Sequence, residues 1–205
     1  MMDKNIKDQW KRFLTPDILH TNLIIASVYI SVYEILKKTI IERIRDFYWT
    51  GWSVEGGDII DPKYETEVLL KNRSPLYASL QWLKKNTAIN DNDIDVFENV
   101  KKYRNEIAHG MNKMIMEGLP SDIAERFSDM VNLLDKIEKW WIINVEIPID
   151  EELAGEEIDE DGIVPGPVAS IKMMIDIALG NDEQTEYYIK EFVNRGIFGA
   201  DPDEG

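Results

Sequence analysis

The chain has no cysteine and only two histidines, His20 and His109, in 205 residues. Without thiols there can be no disulfide, iron–sulfur cluster, thiolate zinc site or cysteine nucleophile, a composition that fits a reducing cytoplasm. With two histidines far apart and no H-E-x-x-H pair, no ligand set for a transition metal is evident, so neither metal nor cofactor is expected. An uninterrupted apolar run is also missing. The most apolar stretch, Leu23 to Ile41, is broken by Ser27, Ser31, Glu34, Lys37 and Lys38, which reads as a buried helix rather than a bilayer crossing. The opening residues are polar and hold no signal-like apolar segment, so a cytoplasmic protein without a membrane partner is expected.

Positive charge is scarce overall, with a net charge of −16, which argues at first against a nucleic-acid partner. The distribution changes that reading. Residues 1–143 hold 20 basic and 22 acidic side chains, whereas residues 144–205 hold 3 and 17. The acidity belongs to the C-terminal third, and the body is close to neutral.

What is present is helical punctuation. Apolar residues at 44% and charged residues at 30% describe a globular chain long enough for one domain and an appendage. Thr15-Pro16, Asp61-Pro62 and Ser74-Pro75 each pair a capping residue with proline at a first helical position. A long helix is predicted from Pro16 to about Trp49, followed by a loop from Gly51 to Asp61 and shorter helices over 62–71 and 75–85. Asp91-Asn92-Asp93 should cap a further helix with Ile94, Phe97, Val100 and Ile107 as its core stripe, ending at His109 or Gly110. Another begins near Ser121, with Ile123, Phe127, Met130, Leu134, Ile137 and Trp141 recurring at steps of three or four. Asn144 to Ile149 is the one place where a short strand is expected. The predicted class is all-α: a helical bundle over 1–145, an acidic linker or loop over 146–166, and a C-terminal helical segment over 167–205 with helices near 168–179 and 182–194.

Chemistry concentrates in Lys101-Lys102-Tyr103-Arg104-Asn105-Glu106-Ile107-Ala108-His109-Gly110. On a helix, Asn105 and His109 lie one turn apart on one face, and Arg104 is near enough to swing its guanidinium beside the imidazole. Histidine can serve as base or acid near neutral pH, and arginine offers a permanently charged fork for phosphate oxygens. Such a set could cut RNA by the attack of its own 2′-hydroxyl on the neighbouring phosphorus, leaving 2′,3′-cyclic phosphate and 5′-hydroxyl ends. That reaction needs both a base and an acid, and one histidine supplies only one of them. A two-fold dimer through this helix supplies the second. At a helix end, the helix dipole would favour the imidazolium, while Arg104 and the lysines oppose it.

Arg-Asn-x-x-x-His, with Ile-Ala before the histidine and glycine after it, resembles the R-x(4–6)-H motif of the HEPN superfamily, over roughly residues 15–143. The resemblance implies an up-and-down helical bundle with the C-terminal segment as an appendage. It further implies a metal-independent endoribonuclease of toxin, abortive-infection or phage-defence type that acts as a homodimer. Arg104, Asn105 and His109 would then be catalytic, Lys101 and Lys102 would bind RNA substrate, and an antitoxin or other regulatory protein would be a candidate partner. Met111 stands where some members carry a tyrosine modified by a partner enzyme, a departure that speaks against that partnership.

Plainer readings accompany each feature. Arg104 and His109 could be a solvated helix end, and the bundle a binding module for a nucleotide, RNA or protein, or a structural dimer. His20 fits a solvent-facing helix start, and the lysines a solvated surface. Trp49, Trp52, Trp82, Trp140 and Trp141 could stack bases, though such residues more often fill cores and interfaces.

Overall fold

In the computed structural model, residues 4–151, 153, 159–180 and 187–188 are described. The element order is α1 (Lys4–Phe13), α2 (Pro16–Phe47), β1 (Trp49–Ser53), β2 (Gly57–Ile60), α3 (Lys63–Glu67), a short 3-10 turn, α4 (Pro75–Lys85), α5 (Asp91–Glu117), α6 (Ile123–Trp141), a π-type turn (Ile142–Glu146) running into α7 (Ile147–Ile149), a 3-10 turn, and α8 (Gly166–Leu179). The protein is mostly helical, as its capping signals predict.

The core is built around α2. Its apolar residues occupy nearly every side, so neighbours must surround it: α4, α5, α6 and α8 all pack against it. By length and composition α2 could cross a membrane, but Tyr29, Val32, Leu36, Ile40 and Ile44 are buried within the bundle. Its packing with α5 is antiparallel. Tyr29 meets Tyr103 at 5.4 Å between ring centroids, and Tyr33 stacks on Phe97 at 6.1 Å. The Tyr29 hydroxyl donates to the Val100 carbonyl at 3.4 Å. Helix α6 runs antiparallel to α5, with Lys136 paired to Asp93 at 2.5 Å near one end and the Tyr103 hydroxyl donating to Asp122 at 3.2 Å near the other. Arg43 of α2 binds the buried carboxylate of Glu138 on α6 and reaches Glu146 at 2.7 Å, so charge pairing as well as apolar contact holds these helices in register.

Aromatic residues gather where α2, α4 and α6 meet. Trp82 stacks on Trp141 with ring planes 8° apart, and Trp140 meets both edge-on. Trp82 donates its indole N–H to the Tyr48 hydroxyl at 3.2 Å, which in turn donates to Glu67 at 2.7 Å. Three of the tryptophans considered as base-stacking candidates thus belong to this cluster. Trp49 and Trp52 are exposed on the hairpin beside it.

Four sequence expectations are corrected. The segment read as a loop from Gly51 to Asp61 holds an antiparallel hairpin, β1 with β2, whose register shifts between Trp49 and Gly51. Gly57, at φ +71°, provides the left-handed turn residue. The helix read over 62–71 is broken into α3 and the 3-10 turn. The expected strand at Asn144–Ile149 is helical instead, a continuation of α6 through the π-type turn into α7. Finally, α5 passes through Gly110 and ends at Glu117, with Gly118 at φ +95° as its stop. An interior glycine costs a helix about 1 kcal/mol, and here the packing of Met111 and Met114 against the core outweighs it. Two further features lay outside the expectations. Helix α1 was not anticipated, and the cap of α5 is Asn90, which exchanges hydrogen bonds with Asp93 in a capping box.

α8 buries Val168 and Ile171 and packs against α2 and α6. Most of the helix expected over 182–194 lies outside the described residues.

Two stability outcomes are expected. Phe97 is fully buried at the α2–α5 seam, so Phe97→Ala should lower unfolding free energy by about 3–5 kcal/mol in denaturant titrations. Burial pushes the Tyr29 and Tyr103 phenols well above their ordinary range, the neighbouring ring and the Asp122 carboxylate adding to it respectively. Because the unfolded chain loses these protons first, stability should decline as pH rises past about 10. The Tyr29→Phe/Tyr103→Phe variant should decline less steeply over the same interval; an identical slope in alkaline unfolding curves would contradict the assignment.

Candidate functional site

The stripe Phe97, Val100, Tyr103 and Ile107 turns one face of α5 into the core. At about 100° per residue, this fixes where every other side chain of the helix stands. Asn105 and His109 fall on the opposite, outward face, and His109 is exposed. Arg104 falls at the boundary, beside α2. The register therefore separates the arginine from the histidine: one is held at a helix seam, the other is presented to the outside.

Arg104 is firmly placed. Its Nη2 donates to Glu34 Oε1 of α2 at 2.5 Å, its Nη1 donates to Asn105 Oδ1 at 3.1 Å, and its guanidinium carbon lies 5.3 Å from the Tyr33 ring centroid. Its Nε is buried and has no hydrogen-bond partner among the described residues. Glu34 also accepts from Lys37 at 3.2 Å. Burial alone would raise the Glu34 carboxyl; the hydrogen bonds and charges of Lys37 and Arg104 outweigh it and hold the group below its ordinary value. The carboxylate is therefore ionised near neutral pH, and it offsets part of the charge that Arg104 could offer a phosphate.

Among the described residues, the His109 side chain has no hydrogen bond or ion pair, and neither has that of His20. Since α5 continues through two further turns, His109 is not in its last turn, and the expected help from the helix dipole does not apply because that effect is confined to the terminal turn. His20, exposed near the start of α2, lies toward the same end of the α2–α5 pair, because the two helices are antiparallel.

The two lysines do not act together. Lys101 donates to the Tyr77 hydroxyl of α4 at 2.5 Å and sits 4.7 Å from that ring's centroid, contacts that raise its ammonium above the ordinary value. Lys102 is exposed and lines a separate depression with Tyr103, Glu106, Asp122 and Arg126, a cavity of about 310 Å³ carrying three carboxylates or phenols beside its two cations. The exposed hairpin tryptophans are also remote. About 27 Å of helix separates Asp91, near the aromatic cluster, from His109 at ~1.5 Å rise per residue.

Glu34 is the site residue that sequence reasoning missed. It stood out only as a charge interrupting an apolar stretch, yet an acid within such a helix needs a cationic partner close by, and Arg104 was the cation under discussion. Among the described residues, no group of three or more His, Asp or Glu side chains is arranged to hold a metal ion. Comparison with family models, with curated proteins and with solved structures returns no match. What fold and site define together is a mostly helical bundle with a buried-edge arginine, its carboxylate partner and an outward histidine on one helix.

Glu34→Gln tests the hold on Arg104. The exposed part of this pair limits its worth, so unfolding free energy should fall by no more than about 1 kcal/mol. The Glu34 contribution, with its lowered folded value, is present above the ordinary carboxylate range and is lost as pH falls through it. The variant should therefore lose less stability than wild type on acidification from pH 6 to 3.

Proposed function

We propose that this chain is a HEPN-type helical bundle acting as a homodimeric, metal-independent endoribonuclease of the toxin or phage-defence kind, in the cytoplasm. The observation that carries this reading is His109, exposed on the outward face of α5 without a partner among the described residues, one turn from an Asn105 that holds the Arg104 fork. An imidazole left free in this way is available to a reacting group. Arg104 keeps N–H donors beyond those given to Glu34 and Asn105, and a phosphate at the α2–α5 edge would meet a fork whose direction is already fixed.

The outward position also suits a dimer. A second copy laid two-fold against this face brings its own His109 opposite the first. One imidazole takes the proton of the 2′-hydroxyl as its oxygen bonds to phosphorus. The other gives a proton to the 5′-oxygen as the P–O5′ bond breaks. The two arginines stabilise the extra negative charge on the phosphorane. An antitoxin or regulatory protein could act simply by covering the same face.

One observation favours a second reading. Glu34 partly neutralises Arg104, and a neutralised arginine at a helix seam is what a non-catalytic bundle binding a nucleotide, RNA or protein would retain for packing.

Cleavage of a mixed RNA substrate separates the two. The nuclease should work in EDTA, leave 2′,3′-cyclic phosphate and 5′-hydroxyl ends, and fail at a 2′-deoxy position. His109→Ala and Arg104→Ala should each slow cleavage by about 100-fold or more. Wild-type rates in His109→Ala would exclude the site, and intact binding without cleavage by the wild type would favour the binding module.

A further inference from the structure

Helix α1 carries a second surface whose chemistry the proposed reaction does not use. Its sequence, KNIKDQWKRF, places four basic residues and one acid within a chain whose net charge is −16. Ile6, Trp10 and Phe13 recur at steps of four and three, so they line one face, and Leu14 and Ile18 continue it around the corner into α2. All five remain substantially exposed, Leu14 at 70%. Lys7 and Lys11 lie together along one side of this face, are exposed, and meet no carboxylate among the described residues. Arg12, also exposed, instead donates to the Glu117 carbonyl, which fastens α1 to the C-terminal end of α5.

An apolar face with tryptophan and phenylalanine, with unpaired lysines along one side, is the composition of a helix that lies in the headgroup layer of a bilayer. Aromatic rings with a polar edge favour that layer, and lysines meet lipid phosphates while their stems cover apolar surface. We propose that α1 and the start of α2 dock on the surface of an anionic phospholipid bilayer, with Trp10, Phe13 and Leu14 entering the interface and Lys7 and Lys11 on the headgroups. Charge complementarity selects this occupant: the helix carries four basic residues and one acid in a chain whose net charge is −16, so an anionic surface would attract it. Such docking departs from the expectation of no membrane partner, and it requires no spanning helix.

Sedimentation of the full chain with sucrose-loaded vesicles tests it, using phosphatidylcholine alone and phosphatidylcholine with about one-third phosphatidylglycerol. The wild type should pellet with the anionic vesicles, bind far less to the neutral ones, and be released by high salt. Lys7→Glu/Lys11→Glu should weaken binding at least about 25-fold, from roughly 1 kcal/mol per lysine removed, and Trp10→Ala/Leu14→Ala several-fold, both with unchanged helical circular dichroism. All four positions are exposed, so the fold should survive. A wild type that stays in the supernatant with both vesicles, or charge-reversed protein that binds as well as wild type, overturns the proposal. So does a surface whose loss abolishes RNA binding or dimerisation while vesicles are never bound.

Discussion

The antiparallel seam between α2 and α5 is the contact on which the rest of the structure depends. Tyr29 and Tyr33 interleave with Phe97, Val100 and Tyr103, and Ile107 continues the stripe toward the helix end. Each side chain of this size contributes roughly 1.5–3 kcal/mol on burial, so sliding α5 by one residue would sacrifice several of them at once. Because that register is costly to change, the outward direction of His109 and the placement of Arg104 against Glu34 follow from it. A core made for stability therefore sets the geometry of the candidate site.

The same seam explains the division between arginine and histidine. Five residues apart, the two cannot both face outward on a straight helix that buries Val100, Tyr103 and Ile107. Arg104 falls where α2 passes and finds the only acid that interrupts the apolar stretch of that helix. His109 falls where none of the described residues covers it. A site built from both residues thus needs something laid across the α5 face, whether RNA or a second copy. A symmetric copy would add an arginine to each histidine without any change in the register that holds them.

Much of the helical frame was legible because it is encoded locally. Pro16 and Pro75 start helices where proline after a capping residue says they should, and the stripes of α5 and α6 carry helical periodicity without ambiguity. What escaped reading depended on contacts between distant residues. Gly110 is a plausible stop by itself, but Met111 and Met114 beyond it pack on the core, and α1 rests against that extension. The hairpin at 49–60 was obscured by its glycines, which read as a loop, and by strands of only five and four residues. Asn144–Ile149, apolar and β-branched, looked like a strand, yet it follows directly from a helix whose hydrogen bonding simply carries on through a π-type turn. At the site, the spacing of Asn105 and His109 was visible in sequence, and their outward face could be inferred from the core stripe. Glu34 signalled only that it needed a cation; its pairing with Arg104, 70 residues away, depends on the antiparallel packing of α2 on α5.

Charge is distributed along the same lines. The body binds its own cations with considerable economy: Arg43 is held by Glu138 and Glu146, Arg45 by Asp58, Arg104 by Glu34 and Lys136 by Asp93. Cations left without such partners then become informative, since a paired cation offers little further attraction to a phosphate or a headgroup. Lys7 and Lys11 on α1 meet that description, as does Lys102, whereas Lys101 is held by Tyr77. Lys63, Arg73 and Lys85 elsewhere in the chain also lack such partners among the described residues, but Lys7 and Lys11 stand beside the exposed apolar residues Ile6, Trp10 and Phe13, where charge and apolar surface can act together.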